Sequence, residues 1–186
     1  MTGTTKTIGK LGQGIYVDES TGAVYLGDPP KSTMELGTAD RTITGWVKFS
    51  GSSLGYTYYI FNKGGEGTEG YNCYYDGDSH VIGVNVYTES SGGTYFSTSL
   101  PASLFNTGWR HIAAVIDRDA GVSFYLDGAF LARANTSVYN GVDVTNTGQE
   151  AVLAAAGYNP IGLDDIRVYN RTLSATEVFN LYSFGK

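Results

Sequence analysis

Cysteine, proline and positive charge are all scarce in this chain. Cys73 is the single cysteine among 186 residues, which excludes an intramolecular disulfide and a cysteine-rich zinc site. The 4 prolines argue against a proline-rich stalk or linker. Lysine and arginine total 12 against 18 acidic residues, for a formal net charge of −6. Because nucleic acids and anionic membranes both attract basic surfaces, we expect the protein to bind neither.

Long hydrophobic runs are missing as well. No stretch approaches the roughly 18 apolar residues that a membrane-spanning helix needs, so we predict no membrane insertion. Residues 1–10 lack the apolar core of a secretory signal peptide. Many secreted domains of this size carry disulfides, and their absence here favours folding in a reducing cytosol.

Tyrosine and glycine are plentiful instead. The chain has 15 tyrosines and 26 glycines, with 41% hydrophobic and only 16% charged residues. Tyrosine favours strands, and glycine favours the tight turns between them. The length is typical of one domain, so we predict a single domain over residues 1–186. Its surface must be largely uncharged and polar, which suits contacts with glycans or proteins.

Alternating apolar and polar residues predict many strands separated by turns, the pattern of an all-β sandwich or jelly roll. The clearest strands are Thr42–Phe49, Val81–Tyr87 and Trp109–Asp117. The last is apolar on both faces, which is typical of a central strand. Two Asp-Gly pairs, Asp76-Gly77 and Asp127-Gly128, each lie between alternating runs and predict β-hairpins with type I′ turns.

A short helix is predicted near the end of the chain. Ser174 and Glu177 have the spacing of a capping box, in which each side chain bonds the other residue's backbone N–H. Val178, Leu181 and Tyr182 follow on one helical face.

Three segments carry a family resemblance: Thr42–Ser50, Gly108–Ala132 and Gly162–Val178. In order and spacing they resemble the opening, central and closing signatures of laminin-G-like jelly-roll domains of the concanavalin A-like lectin/glucanase superfamily. The resemblance implies a two-sheet antiparallel β-sandwich with a short C-terminal helix. It also implies binding of carbohydrates or proteins, and many members hold a calcium ion.

Asp164 is the candidate ligand for a structural Ca²⁺. Strict alternation places it on the face of Ile166 and Val168, where a buried carboxylate needs a partner. The family pattern carries an acid here and a second one near the first strand, where Asp18 is the nearest match, although the family's Phe-Asp-Gly is replaced. In the alternative interpretation, Asp164 only accepts hydrogen bonds from backbone N–H groups of a neighbouring loop.

A candidate ligand site flanks the glycine-rich loop 63–70. Sugars bind on aromatic rings with amide and carboxylate groups at the edge, and such residues lie on both sides of the loop: Tyr56, Tyr58, Tyr71, Asn72, Tyr74 and Asp76. The alternative is that tyrosines in strands form core contacts or cross-strand pairs.

No catalytic pair is evident. Glycoside hydrolysis needs two carboxylates, and none of the seven glutamates begins the Glu-x-Asp-x-x-Glu pattern used by glycosidases of this architecture. His111 follows Trp109 in a predicted central strand and is interpreted as structural. We therefore expect a non-enzyme.

Two functions from different classes stay open. The first is a non-catalytic recognition or adhesion module that binds carbohydrate or a cell-surface ligand. The second is a structural or decorating protein of a virus particle, most plainly a phage, in contact with other virion proteins. The virus-particle hypothesis rests on a short chain that has its own Met1 but lacks an export signal and disulfides. Either function predicts an extracellular or virion-surface location.

Overall fold

The structure is a computed structural model that describes residues 4–17, 22–28, 34–49, 57–64, 68–88, 92–101, 107–134, 141–146, 148–154 and 161–186. The strands within these ranges are β1 (Thr4–Ile8), β2 (Gln13–Val17), β3 (Val24–Tyr25), β4 (Arg41–Phe49), β5 (Thr57–Lys63), β6 (Gly70–Asp76), β7 (Val81–Thr88), β8 (Gly92–Ser99), β9 (Arg110–Asp117), β10 (Gly121–Leu126), β11 (Ala129–Ala134), β12 (Val152–Leu153) and β13 (Ile161–Tyr169). Helix α1 spans Ala175–Phe184.

The strands form two antiparallel sheets. The seven-stranded sheet has the order β1-β2-β13-β4-β9-β10-β11, and the six-stranded sheet has the order β3-β12-β5-β6-β7-β8. Alternate residues from both sheets meet in one hydrophobic core, which includes Val47, Phe61, Val84 and Phe124. The predicted two-sheet sandwich is therefore confirmed, and β9 lies inside its sheet between β4 and β10, as its two apolar faces indicated.

Both predicted hairpins are present, but they turn differently. Asp127 and Gly128 have φ angles of 49° and 76°, as a type I′ turn requires. The link from β6 to β7 is longer, and its positive φ angle falls on His80, at 52°, rather than on Asp76 and Gly77. Asp76 Oδ1 accepts a hydrogen bond from Ser79 N at 2.8 Å. The type I′ prediction is therefore wrong for this turn, because Asp76 caps a four-residue loop instead.

Helix α1 covers part of the outer face of the seven-stranded sheet, over β9 and β10. Ser174 Oγ accepts a hydrogen bond from Glu177 N, and the Glu177 carboxylate accepts one from Ser174 N at 2.8 Å, which completes the predicted capping box. Val178 is fully buried against Val115 and Tyr125 in a second, smaller cluster. Strand β9 is thus covered on both faces.

Strand β13 contains an irregularity that sequence alternation does not reveal. Asp164 pairs with Trp46 of β4, but the next recorded pair joins Arg167 to Thr44, so two residues of β13 are left without a partner. The first of these two residues, Asp165, has a φ angle of 51°. This β-bulge reverses the alternation along the strand, and it decides which way Asp164 faces.

Candidate functional site

The six predicted ligand-binding residues do not lie together. Tyr58 and Tyr71 point into the core, with 7% and 0% of their surface exposed. The Tyr71 hydroxyl donates to the Met34 carbonyl at 2.7 Å, and burial raises the pKa of this tyrosine far above its usual value. These two predictions are corrected, because buried rings cannot stack on a ligand. Tyr56 lies outside the described residues.

Asn72, Tyr74 and Asp76 lie on the opposite side of β6, away from the core. We define the tyrosine face as the outer surface of β5–β8, built by these residues: Tyr59, Asn62, Asn72, Tyr74, Gly83, Asn85, Tyr87, Gly93, Tyr95 and Ser97. Strand register places eight of them in two rows across the sheet, and Tyr87 pairs with Gly93 beyond the second row. One row runs Tyr59, Tyr74, Gly83, Ser97, and the next runs Asn62, Asn72, Asn85, Tyr95.

Two glycines let aromatic rings lie over the sheet on this face. A Cβ atom built on Gly83 would overlap the Tyr74 ring, and one on Gly93 would lie 2.8 Å from Tyr87 Cε1. Tyr95 stands beside Tyr87 with ring centroids 6.2 Å apart and planes at 89°. The Tyr95 ring is 61% exposed, and Tyr74 is half-buried. The face therefore offers aromatic surface to solvent.

Buried amides lie between these rings. Asn72 and Asn85 are almost fully buried, and Asn85 Nδ2 donates to the Tyr87 hydroxyl at 3.1 Å. The Oδ1 atoms of both asparagines have no hydrogen-bond partner within the described parts of the chain. An unpartnered buried carbonyl costs roughly 1–3 kcal/mol, so this arrangement is unfavourable for stability alone.

The Asp76 carboxylate accepts hydrogen bonds from residues in and beside its own turn. Besides the Ser79 contacts, its Oδ2 accepts from Thr57 Oγ1 at 3.2 Å. Burial acts to raise the pKa of Asp76, but the hydrogen bonds from Ser79 and Thr57 outweigh it and hold the pKa below its usual value. The carboxylate is therefore a turn acceptor placed at one end of the tyrosine face.

Sequence reasoning missed Asn85, Tyr87 and Tyr95. The signal for the first two was present, because the alternation in Val81–Tyr87 that buries Ile82 and Val84 puts the intervening residues on the other face. Tyr95 gave no such signal, since only its register opposite Asn85 places it on this face.

The predicted calcium ligand Asp164 faces away from the main core. Because of the β-bulge, it shares a face with Trp46, while Ile166 packs against the core, so the expected common face with Ile166 and Val168 is wrong. Its Oδ2 accepts a hydrogen bond from Leu11 N at 2.6 Å, in the loop between β1 and β2. This contact matches the alternative interpretation, in which Asp164 accepts hydrogen bonds from backbone N–H groups of a neighbouring loop.

Calcium coordination stays a prediction. Asp18, the second expected ligand, lies outside the described residues. Among the residues that the structure describes, no three His, Cys, Asp or Glu side chains are grouped so that they could hold a metal ion. The assignment to a virus particle also stays a prediction. No helix in the described ranges combines the length and apolar character needed to cross a membrane.

Comparisons with solved structures find the same fold in binding domains of toxins. The binding domain of Paraclostridial Mosquitocidal Protein 1 matches with a TM-score of 0.80 at 17% identity, over 98% of this chain and 46% of that one. The botulinum neurotoxin serotype G binding domain matches with a TM-score of 0.79 at 14% identity, over 98% and 45%. The serotype D ligand binding domain in complex with N-acetylneuraminic acid matches with a TM-score of 0.73 at 13% identity, again over 98% and 45%.

The chain thus spans just under half the length of these structures, and at such low identity the likeness shows the fold alone. No curated protein sequence matches the chain. A family model described as the concanavalin A-like lectin/glucanases superfamily, of laminin G type, matches residues 18–179. That match covers most of the chain, including all three signature segments. The protein therefore belongs to the laminin-G-like family of the concanavalin A-like lectin/glucanases superfamily.

Proposed function

We propose that this protein is a non-catalytic recognition module that binds carbohydrate, as part of a cell-surface ligand, on the tyrosine face. The observation that carries the proposal is the placement of Tyr74 over Gly83, with the exposed ring of Tyr95 on the same face. Aromatic rings held against a sheet present an apolar surface to the C–H face of a sugar. Within the described strands β5–β8, Asp76 is the one acidic residue, which suits a neutral, hydroxyl-rich ligand.

The spacing of the rings favours more than one sugar unit. Tyr74 and Tyr95 are two strands and two residues apart in the register. With strands about 4.8 Å apart and a rise of about 3.4 Å per residue, their Cα atoms lie roughly 12 Å apart. An oligosaccharide lying across the face would contact both rings.

The asparagine row supplies polar groups beside the rings. Oδ1 of Asn72 and Oδ1 of Asn85 are acceptors without a described partner. A polar pair that is costly in the free protein and used by a ligand fits a binding site better than a purely structural role.

Catalysis is not part of the proposal. Strands β5–β8 carry one carboxylate residue, Asp76, whereas most glycoside hydrolysis requires two. Asp76 is also engaged by Ser79 and Thr57. The similar solved structures are described as binding domains, one of them in complex with N-acetylneuraminic acid. Together these points favour recognition over turnover, at an extracellular surface.

A glycan array with the purified chain tests the proposal, once with millimolar calcium and once with EDTA. We expect saturable binding to one sugar class and a loss of about tenfold or more for Tyr74→Ala and Tyr95→Ala. Tyr25→Ala is the matched control, because its ring is similarly exposed, at 66%, and lies on the same sheet beyond β12. Equal binding by wild type and both face variants would reject the tyrosine face.

A further inference from the structure

We propose a second ligand site, on the outer face of the seven-stranded sheet, that takes a sugar ring bearing a carboxylate. Strand register places one row of residues across five chain segments: Thr5, Tyr16, Gly162, Lys48 and then Trp109, which precedes Arg110 of β9. These residues, with Lys6, Thr7 and Ile8, line a cavity of about 280 Å³. Neighbours along the strands, such as Val17 and Val47, point to the core.

Gly162 forms the floor of this cavity because it lacks a side chain. A Cβ atom there would lie 3.0 Å from Trp109 Cη2 and 3.2 Å from Lys48 Cβ. The Trp109 ring therefore extends over the glycine from one side, while Tyr16 occupies the neighbouring strand on the other. Any larger residue at this position would fill the space between the two aromatic residues.

Lys48 and Lys6 both line the cavity and give it its charge. Both side chains are exposed, and neither makes an ion pair with a described carboxylate, in contrast to the cations that do: Lys63, Arg110, Arg133, Arg167 and Arg171. In a chain with a net charge of −6, an uncompensated ammonium at the edge of an aromatic cavity is a local attractor for an anion.

The combination of groups selects the ligand class. The indole of Trp109 and the ring of Tyr16 suit the apolar face of a sugar, and the hydroxyls of Thr5 and Thr7 suit its alcohol groups. The ammonium of a lysine acts as a point charge that can pair with a carboxylate on the ring. The cavity volume lies just below the usual range for small-molecule pockets, which limits the ligand to about one ring. An acidic monosaccharide unit satisfies all of these features.

The site is independent of the proposed function. The tyrosine face lies on the other sheet, with the core between the two outer faces. Loss of binding at one face therefore leaves the other untouched, and the two proposals fail separately.

The test compares two probes that differ by one carboxylate: methyl glucuronoside and methyl glucoside, each titrated into the full chain. The readout is the indole N–H signal of Trp109 in ¹H–¹⁵N spectra, with the buried indole of Trp46 as internal reference, since the chain has 2 tryptophans. We expect millimolar binding of the glucuronoside, with Trp109 shifting and Trp46 unmoved. The glucoside should bind about fivefold more weakly, since an exposed ion pair contributes no more than that.

Variants assign the effect. Lys48→Gln should reduce the difference between the two probes, and Lys48→Gln combined with Lys6→Gln should remove it. Lys10→Gln, which changes an exposed lysine in the loop between β1 and β2, should preserve the difference. Gly162→Ala should weaken both probes by filling the cavity; if it does not fold, Lys48→Gln still decides. Tyr74→Ala should change nothing here.

Three results would overturn the proposal. These are an unmoved Trp109 signal, equal binding of the two probes to wild type, and an equal response to sodium acetate, which would make the effect a general anion effect. The methyl glycoside of N-acetylneuraminic acid, titrated in parallel, separates a uronic acid from a sialic acid as the preferred ring.

Discussion

Replacing Lys63 with methionine should remove a large part of the free energy of unfolding of this domain. Lys63 is the last residue of β5, and none of its side chain is exposed. Its Nζ lies 2.8 Å from Asp28 Oδ1 and 3.0 Å from Glu35 Oε1, the latter an ion pair without hydrogen-bond geometry. It also donates to the Gln149 carbonyl. One ammonium thus ties three separate segments to the end of the six-stranded sheet.

The size of the destabilisation follows from Glu35, the buried partner that keeps its charge when Lys63 is replaced. Glu35 is only 2% exposed, and its Oε2 remains bonded to Asn146 N at 2.8 Å. Removing one member of a buried ion pair costs about 3–5 kcal/mol, because the other charge stays buried without compensation. Asp28 adds little, since its side chain is 41% exposed and water can replace the lysine. The whole free energy of unfolding of a typical domain is only about 5–15 kcal/mol.

Urea denaturation measures the change, since urea does not screen charges. Lys63→Met should lower the free energy of unfolding by about 3–5 kcal/mol. Adding Glu35→Gln should restore about half of the loss, because the buried charge is then removed. Lys48→Met, the same change at an exposed and unpaired lysine, should stay within about 0.5 kcal/mol. A loss below about 1 kcal/mol, or no recovery in the double variant, would refute the reasoning.

Three further changes test other parts of the structure. Burial lowers the pKa of His111 to about 4, so between pH 6.5 and 4 the unfolded chain binds a proton that the folded chain does not. The free energy of unfolding should therefore fall by about 3 kcal/mol over this range. His111→Phe should remove this pH dependence, as measured by urea titrations. Ser174→Ala should cost about 1 kcal/mol in thermal or urea unfolding through loss of the helix cap, and an unchanged value would argue against a stabilising capping box. Asn72→Leu should raise the free energy of unfolding by about 1 kcal/mol, since it removes an unpartnered buried carbonyl, yet weaken glycan binding; a marked destabilisation would show that Asn72 has a structural partner.

Local patterns predicted the secondary structure well where a few neighbouring residues decide it. The strands at Thr42–Phe49 and Trp109–Asp117 follow from alternation, and the capping box at Ser174 follows from spacing. The turn at Asp127-Gly128 follows from the φ preferences of its own two residues. The turn after Asp76 differs because its side chain bonds to Ser79, a choice that the Asp-Gly pair alone does not contain.

The candidate site depended on more distant contacts. Alternation separates Tyr71 from Tyr74, but only the stacking of the two sheets decides that the first is buried and the second faces outward. The bulge at Asp165 is set by the fit of β13 against β4, and it turned Asp164 away from the core. A period of two cannot predict an inserted residue.

The sequence by itself determined the β-sandwich, because hydrophobic alternation, turn chemistry and capping act over a few residues. The family followed from the resemblance of three segments to its signatures. Only the tertiary structure decided the partners that lie far apart in the chain. It placed Lys63 on Glu35 and Asp28, and it brought Tyr16, Lys48 and Trp109 into one row around Gly162. The physical reason is strand register: hydrogen bonds between neighbouring strands fix which residues stand side by side, whatever their separation in the sequence.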